Sequence, residues 1–363
     1  MKTGYIVGLI FMILGGSAVA QRTEKKEGVP AFTNGVVYSL PRTGIRIYVT
    51  ATREKFFFGP YHDYAEVLLG IKNAPSSDRE TWTINDIRVE TFSEPDPGQV
   101  HRTSGQAAAL ISLTPSGTLA GINATVETPE ERFPVATFLG DTKAPSIPFT
   151  DLSLNSFFEK VDSANRNALV IKSFEEKVQE AAHTITKLRK RRFKTLANGY
   201  DEQLPDGRAY EVMVEELDKL EKEYVALFIG KTYKKTFEYC FDYIPENNPG
   251  AGEVVFRFSE GKGVLPVSDM SGKPIVIEMK KMDNLASAQA KVASASPSVS
   301  GILYRVPGKS EIRILNGITL MAATRADIAQ FGTTTYLPDE LLDGNYRVTF
   351  HPATGGIKSI LQK

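Results

Sequence analysis

Hydrophobic and polar positions along the chain follow a β, α, β order of patterns. Residues 44–52 (GIRIYVTAT) and 82–92 (WTINDIRVETF) alternate between apolar and polar side chains, as half-buried strands do. The stretch from Thr33 to about Thr150 consists of short segments rich in β-branched and aromatic residues, separated by Gly and Pro. This pattern predicts a β-rich N-terminal part.

After Phe157 the apolar positions change to a helical spacing. Two runs repeat every three or four residues, which predicts two helices with one apolar seam each. The first seam is Ile171, Phe174, Val178, Ala181, Ile185 and Leu188, and the second is Tyr210, Met213, Leu217, Leu220, Tyr224 and Leu227. Asn198-Gly199 is typical of a helix end and Pro205-Asp206 of a helix start. A long antiparallel helical hairpin is therefore predicted.

A strand pattern returns at Thr232 and continues to the end of the chain. Residues 311–323 (EIRILNGITLMAA) contain Asn316-Gly317 between two apolar runs, which predicts a hairpin. Residues 284–301 are rich in Ala and Ser and have no large hydrophobic side chain, so we expect a flexible insert there.

Together these patterns predict an α+β protein in which two β-rich, sandwich-like and mainly antiparallel domains flank the helical hairpin. The predicted divisions are a signal peptide at 1–20, a β-rich domain at 21–155, the hairpin at 156–231 and a second β-rich domain at 232–363. A mature chain of about 340 residues exceeds what one hydrophobic core usually serves, which agrees with two domains.

The first twenty residues have the pattern of a secretory signal peptide. Lys2 precedes a short apolar run, and small residues follow up to Ala20, which predicts cleavage before Gln21. The run is shorter than the ~20 residues that a membrane-spanning helix needs. We therefore expect an exported protein, periplasmic or extracellular, without a transmembrane segment.

Composition and motifs argue against several functions. The 43 basic and 43 acidic residues balance, so charge gives no reason to expect a nucleic-acid partner. Cys240 is the only cysteine, which excludes an intramolecular disulfide. The four histidines, at positions 62, 101, 183 and 351, are widely spaced and match no metal motif. No catalytic residue, metal or cofactor is predicted.

One strand carries a row of aromatic residues that forms the candidate binding site. Phe237, Tyr239, Phe241 and Tyr243 alternate with other residues, so all four rings lie on one face of the strand. Aromatic side chains are common on the core face of a sheet. The alternative hypothesis is an exposed platform on which the rings stack against a glycan.

Two further segments each allow two interpretations. Residues 55–71 (KFFFGPYHDYAEVLLGI) read as a strand end, a break and a short helix, or as an aromatic cleft with His62 and Asp63 as an acid–base pair. The basic run at 187–194 (KLRKRRFK) lies at the end of the first helix. Either acidic residues 211, 215 and 216 of the second helix neutralise it, or it binds an anionic partner.

Several segments resemble one protein family. They are VVYSLPRTGIRIYVTA, GPYHDYAEVLLGI, WTINDIRVETFSEPDPGQV, LPDGRAYEVMVEELDKLEKEYVALFIGKT, FDYIPE and AQFGTTTYLPDELL. In this order along the chain they are similar to exported Bacteroidales proteins classed as domain of unknown function 4831. The resemblance implies a bacterial envelope or secreted setting and assigns no activity.

Two classes of function remain open. The first is a non-catalytic binding or assembly module of the cell envelope, with an envelope protein or a glycan as partner and with self-association through the hairpin. The alternative is a glycan-active hydrolase whose acidic pair cannot be identified from the sequence. Such an enzyme needs a pocket that holds two carboxyl groups about 5–10 Å apart.

The signal-peptide pattern makes a direct prediction. The mature protein should begin at Gln21 and should be recovered from an extracytoplasmic fraction, because the small residues before Gln21 form the cleavage site. N-terminal mass spectrometry of the exported protein measures this, and retention of residues 1–20 would contradict it.

Overall fold

A computed structural model describes most of the chain after residue 34. The described residues are 35–124, 149–150, 152, 158–163, 166–197, 207–247, 252–282 and 301–363. The predicted signal peptide, the connection between the two long helices and residues 284–300 of the predicted insert lie outside them.

Fourteen strands and four α-helices form the regular structure of these residues. The strands are β1 (Val36–Phe57), β2 (Arg79–Thr103), β3 (Ile111–Leu113), β4 (Leu119–Ile122), β5 (Phe158–Ser163), β6 (Arg166–Ile171), β7 (Lys231–Tyr243), β8 (Glu253–Ser259), β9 (Gly263–Leu265), β10 (Lys273–Lys281), β11 (Leu303–Asn316), β12 (Thr319–Tyr336), β13 (Tyr346–Phe350) and β14 (Ile357–Gln362). The helices are α1 (Ala65–Leu69), α2 (Gln106–Leu110), α3 (Phe174–Leu196) and α4 (Gly207–Ile229). Two 3-10 turns cover His62–Tyr64 and Asp339–Leu342.

Strand β1 is the centre of the first sheet, whose order is β2-β1-β7. Both neighbours are antiparallel to it. Ile45, Ile47 and Val49 are fully buried, and they alternate with residues that point to the opposite face. The strand predicted at residues 44–52 is therefore confirmed, although β1 extends well beyond it in both directions.

The second sheet has five strands in the order β12-β11-β10-β8-β9. The predicted hairpin joins β11 to β12, with Asn316 paired to Thr319. Gly317, with a φ of 59°, and Ile318 occupy the two loop positions. The loop thus begins one residue later than an Asn-Gly loop would, because glycine takes the first position that requires a positive φ.

The first and second sheets share one hydrophobic core, to which seven of the longer strands contribute. Its fully buried members include Ile47, Val49, Phe256, Ile275, Ile312, Ile314 and Ile328. Burial of apolar side chains at this density is the main favourable contribution to folding. The two sheets are therefore held together by packing.

A third sheet, in the order β14-β13-β4-β3, surrounds a second core. The beginning of β1 supplies Tyr38 and Leu40 to this core, where they meet Leu119, Val348 and Phe350. Strand β1 therefore contributes to two cores along its length. The remaining pair, β5-β6, forms a separate two-stranded sheet.

Strand pairing crosses the predicted domain boundaries twice. Strand β1 of the N-terminal β-rich segment pairs with β7 of the C-terminal one, and β4 pairs with β13. The two β-rich segments therefore share sheets, which differs from the two separate sandwich-like domains that we expected. Periodicity identifies a strand but contains no information about which distant strand satisfies its backbone hydrogen bonds. The boundaries themselves stay a prediction.

Two long helices lie where the sequence predicted helices. Helix α3 begins with a capping box, in which Ser173 and Glu176 each accept a hydrogen bond from the backbone N–H of the other. Helix α4 is followed by Gly230, whose φ of 83° is typical of a helix stop. No helix among the described residues is long and apolar enough to cross a membrane.

Helices α3 and α4 run antiparallel and contact each other. The Tyr210 hydroxyl, near the start of α4, donates a hydrogen bond to the Thr195 carbonyl, near the end of α3, at 3.1 Å. Further along, the Arg189 Nε lies 2.8 Å from the Glu221 Oε1. Residue numbers rise on one helix as they fall on the other, which defines the direction.

The apolar seam of α3 is confirmed at Val178, Ala181 and Ile185, which are fully buried. The seam of α4 was wrong at one position, because Leu220 is 43% exposed whereas Glu221 is 8% exposed. The buried position in α4 is therefore occupied by the charged residue Glu221, which a search for regularly spaced apolar residues does not find. The first predicted seam was wrong at its start, because Ile171 ends strand β6 and Phe174, the first residue of α3, is 44% exposed.

Two arginines of the basic run, Arg189 and Arg192, form ion pairs with α4, but with different partners from those expected. The Arg192 Nη1 lies 2.8 Å from the Asp218 Oδ1 and 2.7 Å from the Glu221 Oε2. Arg189 also bonds Glu221. The expected acidic residues were Glu211, Glu215 and Glu216, which lie two to seven residues before Asp218 on α4.

Residues 55–71 pack as a structural element against the end of α4. Tyr61 and Ala65 are buried together with Leu227 and Phe228. A Cβ atom on Gly59 would lie 2.5 Å from the Leu227 carbonyl oxygen, so this close approach requires glycine. The three consecutive phenylalanines end β1 at this junction.

We predict that Leu217→Asp destabilises the protein and that Leu220→Asp does not. Leu217 is 8% exposed, so the substitution buries an unpaired charge and should cost about 3–5 kcal/mol. The change at Leu220 should stay within about 0.5 kcal/mol, as surface changes usually do. Thermal melting followed by circular dichroism compares the two variants, and equal melting temperatures would refute the seam described above.

Candidate functional site

The four aromatic residues proposed from the sequence lie directly opposite the buried face of β1. Phe237, Tyr239, Phe241 and Tyr243 pair with Ala51, Val49, Ile47 and Ile45, respectively. Residues opposite each other in antiparallel strands point to the same face. The row therefore faces the core that the first two sheets share.

The exposure of the rings agrees with this position. Phe237 is 9% exposed and Tyr239 is 2% exposed, and the Phe237 ring lies 5.2 Å from the Trp82 ring. Phe241 stacks on Phe256 of the second sheet at a centroid distance of 4.8 Å. The surface that a glycan platform would need is covered at these positions by the opposing sheet.

The other sequence candidates do not form a site together. The His62 Nε2 lies 3.2 Å from the Asp63 Oδ1, and the His62 Nδ1 contacts the Gly59 carbonyl oxygen at 3.1 Å. Nothing in the described part of the chain groups three or more histidine, cysteine or acidic side chains as a metal centre would. His183 lies exposed on α3, far along the chain from the others.

A site that the sequence did not indicate lies around Arg305 of β11. Two clefts share this residue, and we name them after a distinctive side chain of each. The Asp327 cleft has a volume of about 490 Å³ and is lined by Tyr304, Arg305, Val306, Pro307, Asp327, His351, Ala353, Thr354, Gly356 and Ile357. The Lys281 cleft has a volume of about 540 Å³ and is lined by Gln99, Asn247, Lys281, Arg305, Ala329, Gln330, Gly332, Thr333 and Thr334.

Both clefts lie where β12 leaves its ladder with β11. The register passes from Val306↔Thr333 directly to Gly308↔Ile328, so four residues of β12 are unpaired opposite Pro307. Proline has no backbone N–H to donate to a ladder, which favours such an interruption. A Cβ atom on Gly332 would lie only 1.6 Å from the Val306 carbonyl oxygen, so the close crossing requires glycine.

A buried amide within this interruption bonds the backbone of β1. The Gln330 side chain accepts a hydrogen bond from the Thr43 N–H at 2.8 Å and donates one to the Thr43 carbonyl at 2.9 Å. The Ala329 N–H donates to the Thr43 hydroxyl at 3.0 Å. Buried polar groups need such partners, and here they connect β12 to β1 across the two sheets.

Arg305 is a buried cation whose hydrogen-bonding capacity is only partly used. It is 4% exposed, and its Nη2 donates to the Asp96 Oδ2 at 2.5 Å. Its Nε and Nη1 atoms have no hydrogen-bond partner in the described residues. A charged donor that is buried without a partner is costly, so each of these atoms is a position where an acceptor would be favourable.

The surroundings of Arg305 affect its pKa in opposite directions. Burial lowers the pKa of the guanidinium group, and the neighbouring Asp96 carboxylate opposes this effect. An arginine side chain remains protonated at neutral pH in spite of such shifts. The site therefore carries a positive charge that one carboxylate contacts on one side only.

Tyr38 fixes the strand segment on which Arg305 lies. Its hydroxyl accepts a hydrogen bond from the Leu303 N–H at 2.8 Å and donates one to the Leu303 carbonyl at 3.1 Å. Burial raises the pKa of Tyr38 to about 12, so the hydroxyl remains a donor at neutral pH. The His101 ring lies 5.9 Å from the Tyr38 ring.

A third, smaller hollow of about 370 Å³ lies on the surface of α4 and is lined by Glu215, Asp218, Lys219, Lys222 and Glu223. Two of its acidic groups already have partners, because Asp218 contacts Arg192 and Glu223 contacts Lys231. The hydrogen bond from Lys231 lowers the pKa of Glu223 despite partial burial. Both carboxylates therefore serve ion pairs.

The two clefts differ in the acidic groups of their linings. Asp327 is the one carboxylate that lines the first cleft, and none lines the second, among the residues the structure describes. Glycoside hydrolysis commonly uses two carboxyl groups that face each other across the bond. The clefts instead present amides, hydroxyls and cations, which are hydrogen-bonding groups for recognition.

Arg305 lies within the apolar run ILYRV, and a charge at that position is the one signal in the sequence that pointed to it. That signal is weak, because an arginine in an edge strand gives the same pattern. Its neighbours Asp96, Gln330 and Thr354 come from distant segments, so their proximity is a product of the tertiary structure.

Fold and site together define an α+β protein with mainly antiparallel sheets and a polar, cationic site between strands. The chain belongs to the family described as Domain of unknown function (DUF4831), whose model matches residues 34–358. No curated protein and no solved structure matches the chain.

The environment of His101 predicts that stability depends on pH. Burial and the positive charge of Arg305 lower the pKa of His101 below its ordinary value of 6.5. The unfolded state therefore binds a proton at a higher pH than the folded state, and stability is lost as the pH falls below about 6.5. The loss from this one group cannot exceed about 1.4 kcal/mol per pH unit.

The His101→Asn variant should lose less stability than the wild type between pH 7 and pH 5, whereas His183→Asn should behave as the wild type does. His183 is the matched control because it is an exposed histidine on α3. Urea unfolding at both pH values measures the difference. The same pH dependence in the wild type and the His101→Asn variant would contradict this account.

Proposed function

We propose that the protein is a non-catalytic binding module of the bacterial cell envelope and that the two clefts around Arg305 form its ligand site. The observation that carries the proposal is the partly satisfied, buried guanidinium group of Arg305, which is 4% exposed and lines both clefts. A folded protein rarely keeps a buried charged group with unbonded N–H donors unless another interaction compensates for the lost contact with water.

The size and the chemistry of the clefts support a small polar ligand. Volumes of about 490 and 540 Å³ fall within the usual range of ligand pockets. Hydroxyl and amide side chains line the walls, and Tyr304 and Ile357 add apolar surface to the Asp327 cleft. Such a mixture provides orientation through hydrogen bonds and affinity through buried apolar area.

The remaining expectations from the sequence belong to the same proposal. Export with cleavage before Gln21, an envelope protein or glycan as partner, and self-association through helices α3 and α4 describe the setting in which such a site would operate. The division into β-rich parts at 21–155 and 232–363 around the helical hairpin at 156–231 also belongs to it.

Filling the clefts tests the proposal. Ala353→Trp places a large ring at the Asp327 cleft and Thr334→Trp at the Lys281 cleft, and both positions are exposed, so the fold should be kept. Ala323→Trp, at an exposed position of β12 that lines neither cleft, is the matched control. Retention on arrays of bacterial glycans and envelope peptides, with mass spectrometry of the probes, is the measurement.

We expect the wild type and Ala323→Trp to retain a probe without changing it, and at least one cleft-filling variant to retain about tenfold less of it, since loss of a few contacts costs that much affinity. Cleavage of a glycan probe by the wild type would support the hydrolase instead. Equal retention by all four proteins would place any binding outside the clefts and would overturn the proposed site.

A further inference from the structure

We propose that the Lys281 cleft recognises the carboxylate group of a small acidic ligand, with Arg305 and Lys281 as the two cations that hold it. This inference rests on the proposed function, because it names the chemical class of ligand for the same site. It rests on three features: the difference in charge between the two clefts, the unused donors of Arg305, and the polar groups around them.

The two clefts differ in the charge of their linings. Lys281 and Arg305 line the Lys281 cleft, and no acidic side chain of the described residues lines it. The other cleft has the same Arg305 but also Asp327, which offsets the charge. An anion is therefore favoured in the Lys281 cleft, where Lys281 adds a cation to the Arg305–Asp96 pair and no carboxylate of the described lining opposes it.

The unused donors of Arg305 suit the oxygen atoms of a carboxylate. The Nε and Nη1 atoms are without hydrogen-bond partners among the described residues and lie on different edges of the guanidinium plane, so each can donate to a carboxylate oxygen separately. Each of these atoms has less than 1 Å² of accessible surface, so the side chain must tilt towards the cleft when the ligand binds.

Charge repulsion limits the ligand to a weakly charged anion. Asp96 remains bonded to Arg305 at 2.5 Å, so a second carboxylate with one negative charge can share the guanidinium group, whereas a phosphate dianion meets stronger repulsion. Sharing of one arginine between two carboxylates is geometrically possible because the guanidinium group has five N–H donors.

Lys281 is held at the rim of the cleft by its own contacts. Its Nζ donates to the Asn247 carbonyl at 2.8 Å and lies 5.1 Å from the centre of the Phe331 ring. These contacts keep the ammonium group near the cleft and leave it further N–H donors, since an ammonium group has three. The Lys281 ammonium group can thus donate a hydrogen bond to a ligand carboxylate that is bound to Arg305.

The neutral groups of the cleft suit hydroxyls on the same ligand. Gln99, Asn247 and Thr334 line it with amide and hydroxyl groups that both donate and accept. Gln330 also lines the cleft, but its amide is already bonded to Thr43, so we do not count it among the groups that bind the ligand. A hydroxylated acid such as a sugar acid therefore uses more of the cleft than a plain aliphatic acid does.

Calorimetric titration of the full mature chain tests the inference with two acids and their neutral counterparts. The probes are glucuronate against glucose, and butyrate against butyramide, so that each acid carries one negative charge. We expect at least one acid to bind about tenfold or more tightly than its neutral counterpart, because hydrogen bonds to charged groups are stronger than neutral ones. Which acid binds more tightly identifies the source as a sugar acid or an aliphatic acid.

Two variants remove the cations without leaving a buried charge unpaired. The double variant Arg305→Met/Asp96→Asn deletes both members of the pair, and Lys281→Met changes an exposed residue. The matched control is Arg46→Met/Asp242→Asn, which removes an ion pair on β1 and β7 that uses both carboxylate oxygens and lines neither cleft. Both cleft variants should bind the acid about tenfold or more weakly, and the control should bind as the wild type does.

The outcomes separate this inference from the proposed function. Weaker binding by both cleft variants, with unchanged binding by the control, supports carboxylate recognition in the Lys281 cleft. Equal binding of an acid and its neutral counterpart overturns the inference and leaves the proposed function intact. Binding of the acid that persists in the double variant also overturns it. Failure of the proposed function would appear separately, as equal retention of array probes by the cleft-filling variants.

Discussion

The structure depends on one constraint, namely that the 22-residue strand β1 must satisfy hydrogen bonds and bury side chains along its whole length. Its later part lies between β2 and β7 and directs Ile45, Ile47 and Val49 into the largest core. Its first part supplies Tyr38 to a second core with β4 and β13. The bulge between Ser39 and Pro41 separates these two roles, because proline cannot donate to the ladder there.

Buried polar contacts keep the packed sheets in one register. The Gln330 amide bonds Thr43 from the second sheet to the first, and Arg46 forms a bidentate pair with Asp242 of β7. Apolar packing alone tolerates sliding, whereas a buried hydrogen bond is lost at once if its partners shift. Gln330 is one of the four unpaired residues of β12, so the contact between the sheets lies beside the clefts around Arg305.

The candidate site is thus a consequence of how the sheets are joined. Arg305 is positioned by a strand that Tyr38 holds at Leu303, and it meets Asp96 from β2, more than two hundred residues away. A charge in this position has only one hydrogen-bonded partner among the described residues, while the Arg46 guanidinium uses two donors on one carboxylate. Arg53 is also buried with nitrogen atoms that lack hydrogen-bond partners among the described residues, but it lies over the Trp82 and Phe237 rings and lines neither cleft. The reason to place ligand recognition at Arg305 is therefore that its unused donors coincide with the two clefts.

The sequence by itself determined much of the secondary structure: alternating positions identified β1 and the β11–β12 hairpin, and the helical spacing located α3 and α4. It was wrong for β5 and β6, which lie within the segment predicted as the helical hairpin. These patterns are local, since a side chain's neighbours at two or four residues decide which face it shares. Only the tertiary structure decided that the aromatic row at Phe237 and Tyr239 faces a core, that Glu221 replaces Leu220 in the helix seam, and that β1 joins both β-rich segments. The physical reason is that strand partners, ion pairs and clefts are contacts between distant residues, and periodicity contains no information about distance in space.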